Sequence, residues 1–75
     1  MKQYVVTFSY YIQGSSASDT FHFSNEEQAH EKFQELRDVI EHNYAGCENP
    51  EIIDEAGFFG IRDRADGSFA RVTLD

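Results

Sequence analysis

Three histidines and one cysteine are the side chains of this sequence best suited to chemistry, and their spacing forms no known site. His30 and His42 are twelve positions apart, so on one helix they would point about 120° from each other. Neither they nor His22 and Cys47 form a C-x-x-C, H-x-x-x-H or H-E-x-x-H motif. We therefore expect no bound metal.

Nucleophilic and phosphate-binding signatures are also missing. Cys47 is followed directly by Glu48, and a neighbouring carboxylate raises the pKa of a thiol and so disfavours the reactive thiolate. The sequence holds neither G-x-x-x-x-G-K-[ST] nor G-x-G-x-x-G. We expect a protein that is not an enzyme and uses no cofactor.

The acidic residues are the most distinctive group, and they concentrate in one stretch. Residues 24–44, SNEEQAHEKFQELRDVIEHNY, carry six of the 14 acidic residues and two of the six basic ones. At 100° per residue, a helix here aligns several polar residues along one flank. These are Glu27, Glu31, Gln34, Asp38 and Glu41, with Glu35 on the solvent side.

Helix stability alone does not account for this arrangement. Glu27/Glu31 and Glu31/Glu35 are like-charge pairs at i,i+4, each unfavourable by roughly 0.2–0.5 kcal/mol. Early acids suit the positive end of the helix dipole, whereas Asp38 and Glu41 lie toward the negative end. Solubility is one explanation for them and recognition of a partner is the other.

The following segment continues the acidic pattern. Glu48, Glu51, Asp54 and Glu55 could extend the acidic surface toward a phosphate-like distribution of charge. Such a surface fits the basic groove of a nucleic-acid-handling protein. A solvated acidic helix with no partner is the alternative.

Composition narrows the classes of partner and compartment. The net charge of −8 on 75 residues repels phosphate backbones and anionic lipid headgroups, so we expect no direct binding to nucleic acid or membranes. A basic protein remains a suitable partner. One cysteine excludes an internal disulfide, and no run of about 20 apolar residues occurs, so we expect a cytoplasmic protein.

The chain around the acidic stretch alternates as strands do. Tyr4 to Ile12 alternates apolar and polar residues, Gly14–Ala17 reads as a turn, and Phe21 and Phe23 mark a second strand paired as a hairpin. Ser24 with Glu27 has capping-box spacing and predicts a helix over about 24–45.

The predicted helix has an apolar stripe at spacings of three and four, formed by Ala29, Phe33, Leu36, Ile40 and Tyr44. The residues after the helix predict two more strands. A third strand is centred on residues 58–62 and a closing strand on 69–74, while residues 48–55 read as a loop or an irregular strand start.

The resulting expectation is one α+β domain over residues 1–75, with order ββαββ, a four-stranded antiparallel sheet and one helix on one face. The other face would show Val5, Thr7, Tyr11 and Phe58. That face is more apolar than solvent requires, so a homodimeric structural or accessory subunit is the alternative function.

Length, charge of −8 and the acidic stretch from Glu26 to Glu55 together resemble the small phage-encoded inhibitors of bacterial defence, including anti-CRISPR proteins. The resemblance implies stoichiometric inhibition through protein contact, in some cases by mimicry of nucleic acid, in the host cytoplasm. Our leading hypothesis is therefore an acidic interaction module that occludes a basic protein surface.

Overall fold

A computed structural model describes residues 3–12 and 14–75, and it has one helix and one antiparallel sheet. The elements are β1 (Tyr4–Ile12), β2 (Ser15–Phe23), α1 (Glu26–Asn43), β3 (Pro50–Glu55), β4 (Phe58–Asp63) and β5 (Phe69–Leu74). The strands lie in the order β2-β1-β5-β4-β3. The predicted α+β class and open antiparallel sheet are confirmed.

The predicted number of strands is wrong, because the sheet has five strands and not four. Residues 50–55, expected to be part of a loop or an irregular strand start, form β3 and pair with β4 from Pro50↔Asp63 to Glu55↔Phe58. Three acids and a proline weaken the strand pattern of this segment. Pairing with the edge of β4 nevertheless satisfies the backbone groups that β3 directs toward β4.

The last strand, β5, lies in the middle of the sheet. β1 pairs with β2 along its length, and β5 pairs with β1 on one side and with β4 on the other. The predicted turn at 14–17 is shorter than expected, since Ser15 opposes Ile12 and already belongs to β2.

The N-cap lies one residue later than the capping box predicted, and the helix spans Glu26–Asn43 instead of about 24–45. Asn25 is the N-cap, and its Oδ1 accepts hydrogen bonds from the backbone N–H of Glu27 at 2.8 Å and of Gln28 at 3.3 Å. This side-chain oxygen satisfies donors that the first turn leaves free. The helix ends at Asn43, with Tyr44 as its C-cap.

Helix α1 covers one face of the sheet, over β1, β2, β4 and β5. Its stripe packs on alternate strand residues, and Ile40, Val6 and Val72 are the largest fully buried side chains. The register places Phe59 and Ile61 on this covered face with Val72 and Ala70. The residues that alternate with these along each strand point to the other side of the sheet, which we call the open face.

Candidate protein-binding surface

The side of α1 turned away from the sheet carries four carboxylates. Glu27, Glu31, Glu35 and Asp38 are all exposed, and we call them the acidic helix surface. With His30 and Gln34 they line a shallow groove along the helix. A backbone rise of 1.5 Å per residue spreads the four over about 17 Å.

Both cations of the helix are drawn toward the sheet. Lys32 Nζ lies 4.6 Å from the centre of the Phe21 ring, and Arg37 Cζ lies 4.5 Å from the centre of the Phe59 ring. Lys32 also binds Glu35 at 3.3 Å. Cations favour the faces of aromatic rings, which holds these two at the edges of the helix.

Three carboxylates of the acidic helix surface consequently lie apart from every cation that the structure describes. In the part of the chain that the structure describes, no basic nitrogen lies within 4.0 Å of a carboxylate of Glu27, Glu31 or Asp38. The fold thus leaves a negative strip facing solvent.

Two other predicted residues serve the fold instead. Arg37 Nε donates to Glu41 Oε1 at 3.1 Å, and Arg37 Nη2 donates to Asp54 Oδ2 at 2.8 Å. The hydrogen bond to Glu41, with the charge of Asp54, raises the pKa of Arg37. Through Arg37, Glu41 and Asp54 therefore link α1 to β3. This structural role explains why an acid lies near the helix C-terminus, so that Glu41 does not require a binding partner as its explanation.

The remaining predicted acids lie apart. Glu51 lies on the open face, 3.8 Å from Arg62 Nε and 4.0 Å from Arg64 Nε. Glu48 is exposed in the loop after the helix. Glu55 joins Asp54, His30 and Gln34 along a groove between the helix and the turn that connects β3 to β4. The structure therefore brings Glu55 toward the helix acids and separates Glu48 and Glu51 from them.

The open face is mixed in character. Val5, Thr7 and Phe58 are half-buried there, and exposed Tyr11 stacks on Phe69 with ring centroids 6.1 Å apart. Between these aromatics runs a set of hydroxyl residues, namely Thr7, Ser9, Ser18, Thr20 and Thr73. Sequence reasoning missed Phe69 and Arg71 on this face, although alternation along the closing strand would have placed them with Thr73.

Cys47 is the one nucleophile considered from the sequence. Its Sγ donates to Asp63 Oδ2 at 3.6 Å, and partial burial, with the charge of Asp63, raises the pKa of the thiol. Among the described residues no group of three or more His, Cys, Asp or Glu is placed to hold a metal ion. None of the described segments forms a helix long and apolar enough to cross a membrane.

The fold and surfaces define an α+β domain with an open five-stranded antiparallel sheet and an acidic helix. No protein-family model, curated protein or solved structure matches this chain.

Proposed function

We propose that this chain is a protein–protein interaction module whose acidic helix surface binds a basic surface of a nucleic-acid-handling protein and blocks it stoichiometrically. The observation that carries this proposal is the charge of Glu27, Glu31 and Asp38, which no cation of the described residues compensates. Both helix cations pack against aromatic rings at its edges and leave these acids facing outward.

The unfavourable local energetics support recognition as the purpose of these acids. Glu31 has a like charge four residues away on each side, Glu27 and Glu35, and such pairs destabilise a helix. Natural proteins commonly retain such costs where function needs them. A basic partner would remove the repulsion on binding, because its cations would lie between the carboxylates.

The negative charge of this chain favours a partner whose surface normally binds nucleic acid. Surfaces that bind DNA or RNA are rich in Lys and Arg and attract anions over a Debye length, about 8 Å at physiological salt. A chain of net charge −8 is steered to such a surface. We propose an enzyme of a bacterial defence system as the setting, since the chain resembles phage-encoded inhibitors in length and charge.

Affinity capture from bacterial lysate at low salt tests the proposal. Wild-type protein should retain a basic nucleic-acid-handling protein, with affinity falling steeply as salt rises, and Glu31→Lys combined with Asp38→Lys should abolish retention. The matched control is Asp19→Lys with Glu48→Lys, which changes net charge equally at exposed positions off the acidic helix surface. Binding that survives the first pair or resists salt would contradict the proposal.

A homodimeric accessory subunit is the second candidate function. Exposed Tyr11, stacked on half-buried Phe69 on the open face, supports it, because large aromatics are frequent anchors of protein interfaces. Sedimentation equilibrium of wild type and Tyr11→Glu separates the candidates. A dimer that the substitution dissociates would favour this second function, and a wild-type monomer at high concentration would exclude it.

A further inference from the structure

The free edge of β3 has a backbone available for pairing. Asp63 N–H donates to Ser68 O and Leu74 N–H donates to Gly57 O, so positions 57, 59, 61 and 63 direct their backbone groups toward β5. Alternation then directs Phe58, Gly60 and Arg62 toward β3. Within β3, Ile52 and Asp54 consequently point their N–H and C=O groups away from the sheet.

Apolar side chains accompany these free groups. Ile52 is 55% exposed and Ile53 is 43% exposed, the two most exposed large aliphatic residues of the described chain. Ile52 lies on the covered face of the sheet by its pairing with Ile61, but the helix packs over the other four strands. An exposed edge strand with apolar residues on both faces is a template for another strand.

The other sheet edge offers much less to an added strand. On β2, the backbone N–H and C=O groups of four residues point outward, away from β1. These residues are Ser16, Ser18, Thr20 and His22. All four of these residues are exposed and polar or titratable. A strand added there would bury little apolar surface, so β3 is the favoured edge.

Charge selects the occupant of this edge. A second copy pairing antiparallel with Ile53 opposite Ile53 would set Glu51 against Glu55 twice, and like charges directly opposite are destabilising. The alternative register, with Ile52 opposite Ile52, pairs Pro50, which has no N–H, with Asp54. Each copy also carries a charge of −8. A basic strand places no carboxylate opposite Glu51 or Glu55 and carries a charge opposite to that of this chain.

We propose that β3 is extended by an antiparallel strand from a basic partner, with the pattern basic, polar, apolar, apolar, basic. The first basic residue would lie opposite Glu55, which has no cation within 4.0 Å in the described chain, and the last opposite Glu51. The two apolar residues would lie opposite Ile53 and Ile52. The basic character of the occupant rests on the proposed function, while the edge geometry does not.

A defined peptide tests the proposal without the natural partner. The probe is acetyl-Ser-Lys-Thr-Val-Val-Lys-Ser-amide at millimolar concentration, with amide chemical shifts and hydrogen exchange of the ¹⁵N-labelled protein as readout. We expect the amides of Ile52 and Asp54 to gain protection, and replacement of both lysines by glutamate to remove binding.

Methylated peptides separate strand addition from simple charge attraction. The second valine would bond to Ile52, so its N-methylation should weaken binding roughly ten-fold or more, because one backbone hydrogen bond is lost and a carbonyl is left unpaired. N-methylation of the first valine, whose N–H points away, should have little effect. Equal effects of the two methylations would overturn the proposal.

Variants of the protein keep this result distinct from the proposed function. Ile52→Pro removes one outward N–H and should abolish peptide binding, whereas Ile52→Ala keeps the N–H and should weaken binding only several-fold. Glu31→Lys with Asp38→Lys should leave the protection at Ile52 intact. If these reversals remove the protection instead, the peptide binds the acidic helix surface and strand addition is excluded.

Discussion

Replacing Glu31 by lysine should stabilise the protein while it weakens partner binding. Glu31 is exposed on α1 and has Glu27 and Glu35 one turn away on either side. Lysine is as good a helix former as glutamate, so intrinsic propensity is unchanged. The substitution converts two repulsive neighbours into attractive ones.

The size of the gain follows from these two pairs. Each like-charge pair costs, and each opposite pair contributes, roughly 0.2–0.5 kcal/mol, so the upper limit is about 2 kcal/mol. Glu35 is already bound to Lys32 at 3.3 Å, so most of the gain comes from Glu27, which stands N-terminal to the new lysine in the favourable orientation. We expect about 1 kcal/mol, or a rise in Tm of about 4–8 °C for a domain of this size.

Urea and thermal unfolding of three proteins measure this effect. The control is Glu48→Lys, which makes the same change in net charge in the exposed loop after the helix and should alter Tm much less. In 1 M salt the difference between the two variants should shrink, since the Debye length falls to about 3 Å. Capture of the basic partner should be weakened by Glu31→Lys and unaffected by Glu48→Lys.

Two results would refute the reasoning. If Glu31→Lys unfolds at the same temperature as Glu48→Lys, the i,i+4 repulsion is absent and the acids carry no cost that recognition has to explain. If Glu31→Lys is stabilised and still binds the partner with wild-type affinity, the acidic helix surface is not the binding site.

Three further predictions concern the fold and the thiol. Asn25→Ala should lower the free energy of unfolding by about 1 kcal/mol because it removes the observed N-cap, whereas Ser24→Ala should change it little; equal losses in urea titrations would contradict the assigned cap. Gly67→Ala should destabilise the protein by about 1–2 kcal/mol for its positive φ alone, since a Cβ there meets nothing within 4 Å. Gly57→Ala should destabilise it more, because a Cβ at Gly57 would also lie 3.0 Å from Leu74 O. Cys47 should react with iodoacetamide at pH 8 more slowly in the folded protein than in urea, since its raised pKa leaves less thiolate; the folded rate should approach the unfolded one as pH rises above the thiol pKa, and equal rates at pH 8 would show an unperturbed thiol.

Local patterns predicted the elements whose residues repeat regularly. The alternation from Tyr4 to Ile12 and the stripe through Phe33 and Ile40 are periods of two and 3.6, which only a strand and a helix can place on one face. Both elements are present, and the stripe is the helix side of the core. The excess of acids over bases in the helix was likewise visible without a structure.

Residues 50–55 form the strand β3 because of their position in the sheet and not because of a local pattern. Residues 50–55 hold two adjacent isoleucines among three acids and a proline, a pattern with no clear period. They form a strand because β4 pairs on its other side with β5 and leaves an edge whose backbone groups need partners. Such non-local hydrogen bonding is invisible in a sequence window.

Tertiary packing also divided the acids into two groups. By sequence alone, Asp38 and Glu41 were equivalent unexplained carboxylates near the end of the helix. Packing of Arg37 on Phe59 brings its guanidinium between Glu41 and Asp54, and Asp38 faces solvent. The sequence determined how much negative charge the helix carries, whereas the fold decided which carboxylates stay free, because only folding fixes where each cation lies.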